Sequence, residues 1–145
     1  MSKTDKGENI SGRIGARELV MKLLFQMEAQ HNFDDDIKNA FYAENSKDKS
    51  QEEYLEQMYI LINTHLPMVD NLIDACSNNW KIDRMCKVDL ATMRAAILEI
   101  MYMEDIPESV SVNEAVEIAK KYGTESSGKF VNGILGEVVK LKNAY

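Results

Sequence analysis

Apolar side chains in this 145-residue chain recur at intervals of three and four, and no segment of strand length alternates strictly between apolar and polar. With only 7 Gly and 2 Pro to interrupt it, that pattern predicts an all-α fold of about seven helices. The composition, 45% apolar and 28% charged, is that of an ordinary globular domain. A chain of this length can bury roughly 68–70% of its unfolded surface, so its core needs neither metal nor disulfide.

The first helix is predicted over about residues 16–30, where Ala16, Leu19, Val20, Leu23, Leu24 and Met27 share one face. Arg17 falls off that stripe and is expected toward solvent. A weaker helix carries Ile37, Ala40 and Phe41, and AENSKDKS reads as a polar connection. Ser50 and Glu53 have capping-box spacing ahead of the stripe Tyr54, Leu55, Met58, Tyr59, Leu61 and Ile62. Pro67, which lacks an amide donor, is expected to begin a separate helix through Cys76. SNNWKIDRMCK is turn-like, and Val88 to Met101 then mark the longest helix, about residues 87–104. After Pro107, Ser111 and Glu114 form a second capping-box pattern, and Gly123 is placed as a left-handed cap. Thr124 can cap a last helix whose inner face holds Phe130, Val131, Ile134, Leu135, Val138 and Leu141.

Net charge is −7, yet it is unevenly spread. Residues 1–32 sum to +1, residues 33–117 to −11 and residues 118–145 to +3, so a fold that joined the two ends would concentrate cations on one face. Cys76 and Cys86 lack CxxC spacing, and His31 and His65 have no clustered ligand partners. Asp34, Asp35 and Asp36 suit the positive end of a helix better than a metal. No metal and no cofactor are expected. No GxSxG, HExxH, P-loop or GxGxxG motif is present, so a binding module is expected and not an enzyme. The polar opening MSKTDKGENISG has no apolar signal region, and no run reaches the 18 or so apolar residues of a membrane span; a cytoplasmic protein is expected.

Three ordered blocks remain. The first is SGRIGARELVMKLLFQME, with Arg13, Ala16, Arg17 and Glu18 ahead of an apolar helix ending in Phe25. The second holds Trp80, Arg84, Asp89, Arg94 and Glu99, followed by Ile106 and Pro107. The third is VSVNEAVEIAKKYGTESSGKFVNGILGEVV, with Asn113, Glu114, Ala115, Lys120, Tyr122, Gly123 and the run Phe130 to Leu135. Together, over about residues 11–141, these blocks resemble the NusB family of transcription antitermination factors.

The resemblance implies a NusB-like bundle of two antiparallel helical subdomains: residues 1–12 as a flexible N-terminal arm, and 13–145 as a single RNA-binding domain. It also implies a function. Such proteins bind single-stranded boxA RNA of nascent ribosomal transcripts with the ribosomal protein NusE, inside an antitermination complex on RNA polymerase. Carried onto this chain, the implied RNA contacts are Arg13, Arg17, Phe25, Ser126, Lys129 and Phe130. Guanidinium groups pair with phosphates and stack on bases, and exposed aromatics accept unpaired bases. Ser126 stands where some family members carry an acid near the RNA. Lys129 is a cation at a helix start, against the dipole, which an anionic partner would explain. Core packing remains the competing reading for Phe25 and Phe130, and Trp80 is read as a core anchor. Gly133 is read as a close helix approach. The arginine arm is thinner than the family's, with Ile14 and Gly15 between its two arginines, so weak RNA affinity is expected without the partner. Two alternatives stay open: a structural homodimerising protein, and an RNA-binding accessory domain of a ribosomal RNA cytosine methyltransferase.

Overall fold

The computed structural model describes residues 10–45 and 49–144; residues 1–9 of the expected arm lie outside the described residues. A π turn, Ile10–Ile14, leads into six α-helices: α1 Gly15–Gln30, α2 Asp35–Asn45, α3 Glu52–Cys76, α4 Lys87–Tyr102, α5 Glu108–Tyr122 and α6 Ser127–Asn143. Short 3-10 turns, Lys49–Gln51 and Ile82–Arg84, precede α3 and α4. There is no strand among the described residues.

α4 is the axis of the bundle. Every residue from Asp89 to Ile100 is buried, as befits a helix apolar on nearly all sides, and it packs on α1, α3, α5 and α6. Two polar ties fix its rotation. The Arg94 guanidinium donates to both Asp70 carboxylate oxygens of α3 at 2.8 Å and to Glu28 of α1 at 2.7 Å. Five residues on, Glu99 accepts from Arg17 of α1 at 2.8 Å, from the Tyr54 hydroxyl of α3 and from Ser111 of α5 at 2.9 Å. α2 is fastened from outside by Lys38, a buried lysine that donates to Asn63 of α3 and pairs with Asp35 at 2.9 Å.

Several local expectations change. The two helices predicted on either side of Pro67 are one, because α3 runs through the proline. Pro67 is exposed, so the carbonyl it leaves without a helical donor faces water. Neither capping box forms: α3 is preceded by Gln51 and α5 by Pro107, without side-chain cap bonds, and Ser111 turns inward to Glu99. Gly123 is extended, at φ −93° and ψ −157°. It is needed for space, since a Cβ there would lie 2.3 Å from Ser127 Oγ and 2.7 Å from the Ala119 carbonyl oxygen. Gly133, expected at a close helix contact, would present its Cβ to nothing within 4 Å.

Candidate nucleic-acid interface

The turn between α5 and α6 is closed by the Ser127 hydroxyl, which accepts the Thr124 amide at 2.8 Å. Thr124, expected as the cap of α6, is therefore the donor, and Ser126 holds the cap position without a side-chain cap bond. Ser127 is buried, whereas Ser126 and Lys129 point outward on the first turn of α6. Asp89, on the first turn of α4, is buried nearby; burial raises its carboxyl above the ordinary aspartate range, offset in part by the Ser127 hydroxyl.

Beside this turn lies an aromatic pair. Phe130 is half-buried, and its ring meets that of Trp80 edge to face, with centroids 6.1 Å apart and an interplanar angle of 74°. Trp80 is not the core anchor expected of it: 56% of its surface is exposed. The backbone holds it out. Asn78 and Asn79 before it are both left-handed, at φ 47° and 76°, which asparagine tolerates better than most residues. Ser77 then locks the turn, accepting the Trp80 amide through its carbonyl at 3.2 Å and donating its hydroxyl to the Trp80 carbonyl at 2.7 Å. Lys81 and Arg84 follow, both exposed. Neither they nor Lys129 forms an ion pair among the described residues.

On α1, Phe25 is 38% exposed and not part of the core. One helical turn earlier, the Lys22 ammonium lies 5.1 Å from the centre of the Tyr122 ring at the end of α5. Glu18 completes this seam, accepting from Lys121 at 3.0 Å and from the Tyr122 hydroxyl at 2.5 Å. The start of α1 and the end of α5 therefore meet, which is the condition under which the charge sums would place cations together. Their cations are partly spent there, however, because Lys121 pairs with Glu18 and Lys120 with Glu117.

The two arginines meet around Tyr54, with Arg17 at the inner edge of this seam. Arg17 is 8% exposed, and the sequence reading that put it toward solvent is corrected. Burial opposes its charge, but the hydrogen bond and charge of Glu99 outweigh that and raise its pKa. Tyr54, in the same network, is pushed well above the ordinary phenol range by burial and then by the Glu99 carboxylate. Arg13 is half-buried at its edge, donating to Gln51 at 2.6 Å and lying 4.2 Å over the Tyr54 ring. No hydrogen bond or ion pair joins Arg13 or Arg17 to the α6 turn among the described residues. The structure thus groups Ser126, Lys129 and Phe130, leaves Phe25 exposed on α1, and places Arg13 and Arg17 apart. Sequence reasoning missed the exposure of Trp80; the Asn78–Asn79 pair ahead of it was the available signal.

An exposed indole beside a half-buried phenyl ring, flanked by cations without acidic partners among the described residues, suits stacking on bases and pairing with phosphates. Among the described residues, no three metal-ligating side chains converge, and no helix is long and apolar enough to cross a membrane.

Comparison with known proteins follows the same line. The NusB family profile matches residues 15–140. The transcription antitermination protein NusB of Ruminiclostridium cellulolyticum is 44% identical over 129 residues, 89% of each chain. That of Listeria innocua is 40% identical over 124 residues, 85% of this chain and 92% of its own. Among solved structures, NusB of T. maritima matches with a TM-score of 0.81 at 40% identity, over 88% of this chain and 90% of its own. A complex of the antitermination factors NusB and NusE with double-stranded RNA matches with a TM-score of 0.79 at 25% identity, over 92% of this chain and 97% of the matched one.

Proposed function

The chain belongs to the NusB family, and from that membership we propose that it is a transcription antitermination factor that binds boxA-type RNA together with NusE. It is a binding protein and not an enzyme. It works on nascent ribosomal RNA within an antitermination complex on RNA polymerase, in the cytoplasm. The observation that carries the reading furthest is the fit of 92% of the chain to a NusB that was solved with NusE and RNA. The curated relatives are matched over 89% and 92% of their own length, which favours this reading over a methyltransferase accessory domain.

On this reading the RNA lies across the start of α6 and the exposed flank of α1. Lys129 meets phosphate, Phe130 and Phe25 offer ring surface, and the neutral Ser126 lets the backbone approach without repulsion. Arg13 contributes a phosphate contact from the far edge. Arg17 holds α1 against α4 through Glu99 and orients the arm without touching RNA.

The test is a titration of single-stranded boxA RNA with this protein, with NusE, and with both. Binding by the pair should exceed either alone, because joining two weak sites on one RNA raises the effective concentration at the second. Equal affinity with and without NusE would overturn cooperative recognition.

A further inference from the structure

We propose that Trp80 is a second base-stacking platform, extending the RNA path from Phe130 across the loop before α4. This rests on the RNA-binding reading above and adds a residue to it.

The indole is held out by construction. Two successive left-handed asparagines and both Ser77 hydrogen bonds set the backbone that presents it. A large aromatic more than half exposed, on a loop fixed in this way, is organised for contact and not left over from packing. Its one ring neighbour among the described residues is Phe130, met edge to face at 6.1 Å, a geometry that leaves the indole faces uncovered by that ring. The pair therefore offers two surfaces at a steep angle to each other, which suits successive bases splayed apart on an unpaired strand.

Charge selects the occupant. Lys81 and Arg84 follow Trp80 on the same loop, Lys129 precedes Phe130, and none of the three has an acidic partner among the described residues. These free cations interrupt the otherwise acidic middle of the chain, beside the cation-rich final segment. A polyanion carrying flat rings answers both features at once. A protein partner anchored by the indole would answer only the first, and it becomes an outcome of the test.

Trp80 is the sole tryptophan, so the fluorescence of the intact protein reports on this ring alone. Short single-stranded boxA RNA is titrated into wild type, Trp80→Leu and Trp80→Phe, with and without NusE. Stacking should quench the wild-type emission with the same midpoint as RNA binding measured by anisotropy of a labelled strand. Base–aromatic stacking of about 1–3 kcal/mol corresponds to a loss of roughly 5- to 150-fold in Trp80→Leu, with Trp80→Phe between the two. A strand with one abasic position should lose affinity for wild type but not for Trp80→Leu at the base that stacks here. Melting temperatures of both variants should stay near wild type, since the ring is largely in solvent.

Wild-type RNA binding with no quenching and no loss in Trp80→Leu would overturn the platform and leave the RNA reading intact. Quenching by NusE alone, with Trp80→Leu losing NusE but keeping RNA, would overturn it in favour of a protein anchor. If wild type bound no RNA in any mixture, both readings would fall.

Discussion

Replacing Arg17 by methionine separates its structural role from an RNA contact. In the folded protein the guanidinium and the Glu99 carboxylate lie 2.8 Å apart with side-chain exposures of 9% and 2%. Removing one partner of such a pair leaves a buried charge and costs about 3–5 kcal/mol. After Arg17→Met, Glu99 still accepts from Tyr54 and Ser111, which puts the loss near the lower end, about 3 kcal/mol. Glu99→Leu strands a guanidinium and two hydroxyls, and should cost about 5 kcal/mol. For a domain of this size 1 kcal/mol moves the melting temperature by roughly 3 °C, so the drops should be about 10 and 15 °C. The double variant Arg17→Met with Glu99→Leu should recover much of the loss, because an apolar pair of similar volume is often no worse than a buried ion pair. Circular-dichroism melts give the stabilities, and RNA titration well below the melts gives the function. RNA affinity of Arg17→Met should change little. An unchanged melt, with weaker RNA binding and a salt slope shallower by about 0.7, would refute the structural assignment.

Arg13→Ala should make the slope of log affinity against log salt shallower by about 0.7, one phosphate contact on a single strand. Its melt should fall by only a few degrees, since the lost Gln51 bond and Tyr54 stacking sit at the edge of the core; an unchanged salt slope would remove Arg13 from the interface. Ser126→Asp should weaken RNA binding at low salt, an effect that salt screens, while the melt holds or rises slightly because an acid at the cap of α6 suits the helix dipole. Undiminished affinity at low salt would place that turn away from RNA. Burial pulls the Glu28 carboxyl upward, but Arg94 outweighs it and holds the group below 4.5. A depressed carboxyl stabilises the fold fully above its unfolded pKa and ceases to do so as pH falls through the folded one. The stability gap between wild type and Arg94→Met, measured by urea unfolding, should therefore be full at pH 7 and narrow below about pH 4.5. A gap constant from pH 7 to 3 would show that the ion pair contributes nothing to the acid transition.

Helix class and most helix positions were legible in the sequence because each depends on residues three or four apart, and the stripes of α1, α4 and α6 are regular over several turns. Three ordered motif blocks likewise pointed to the family. What the sequence could not decide was which polar groups an apolar stripe leaves outside. Arg17 sits beside its stripe by helical spacing, yet Glu99, 82 residues away, draws it under the surface. Pro67 reads as a helix start, since its missing amide is a local fact; that α3 runs on through it was settled by packing on both sides. Ser111 has the spacing of a cap and serves Glu99 instead, because a buried carboxylate needs donors from every neighbouring helix. Trp80 and Gly133 show the converse, residues whose types suggest burial and whose surroundings leave them open. Periodicity is a property of one element, whereas burial and pairing belong to the distances between elements, and only the assembled bundle fixes those.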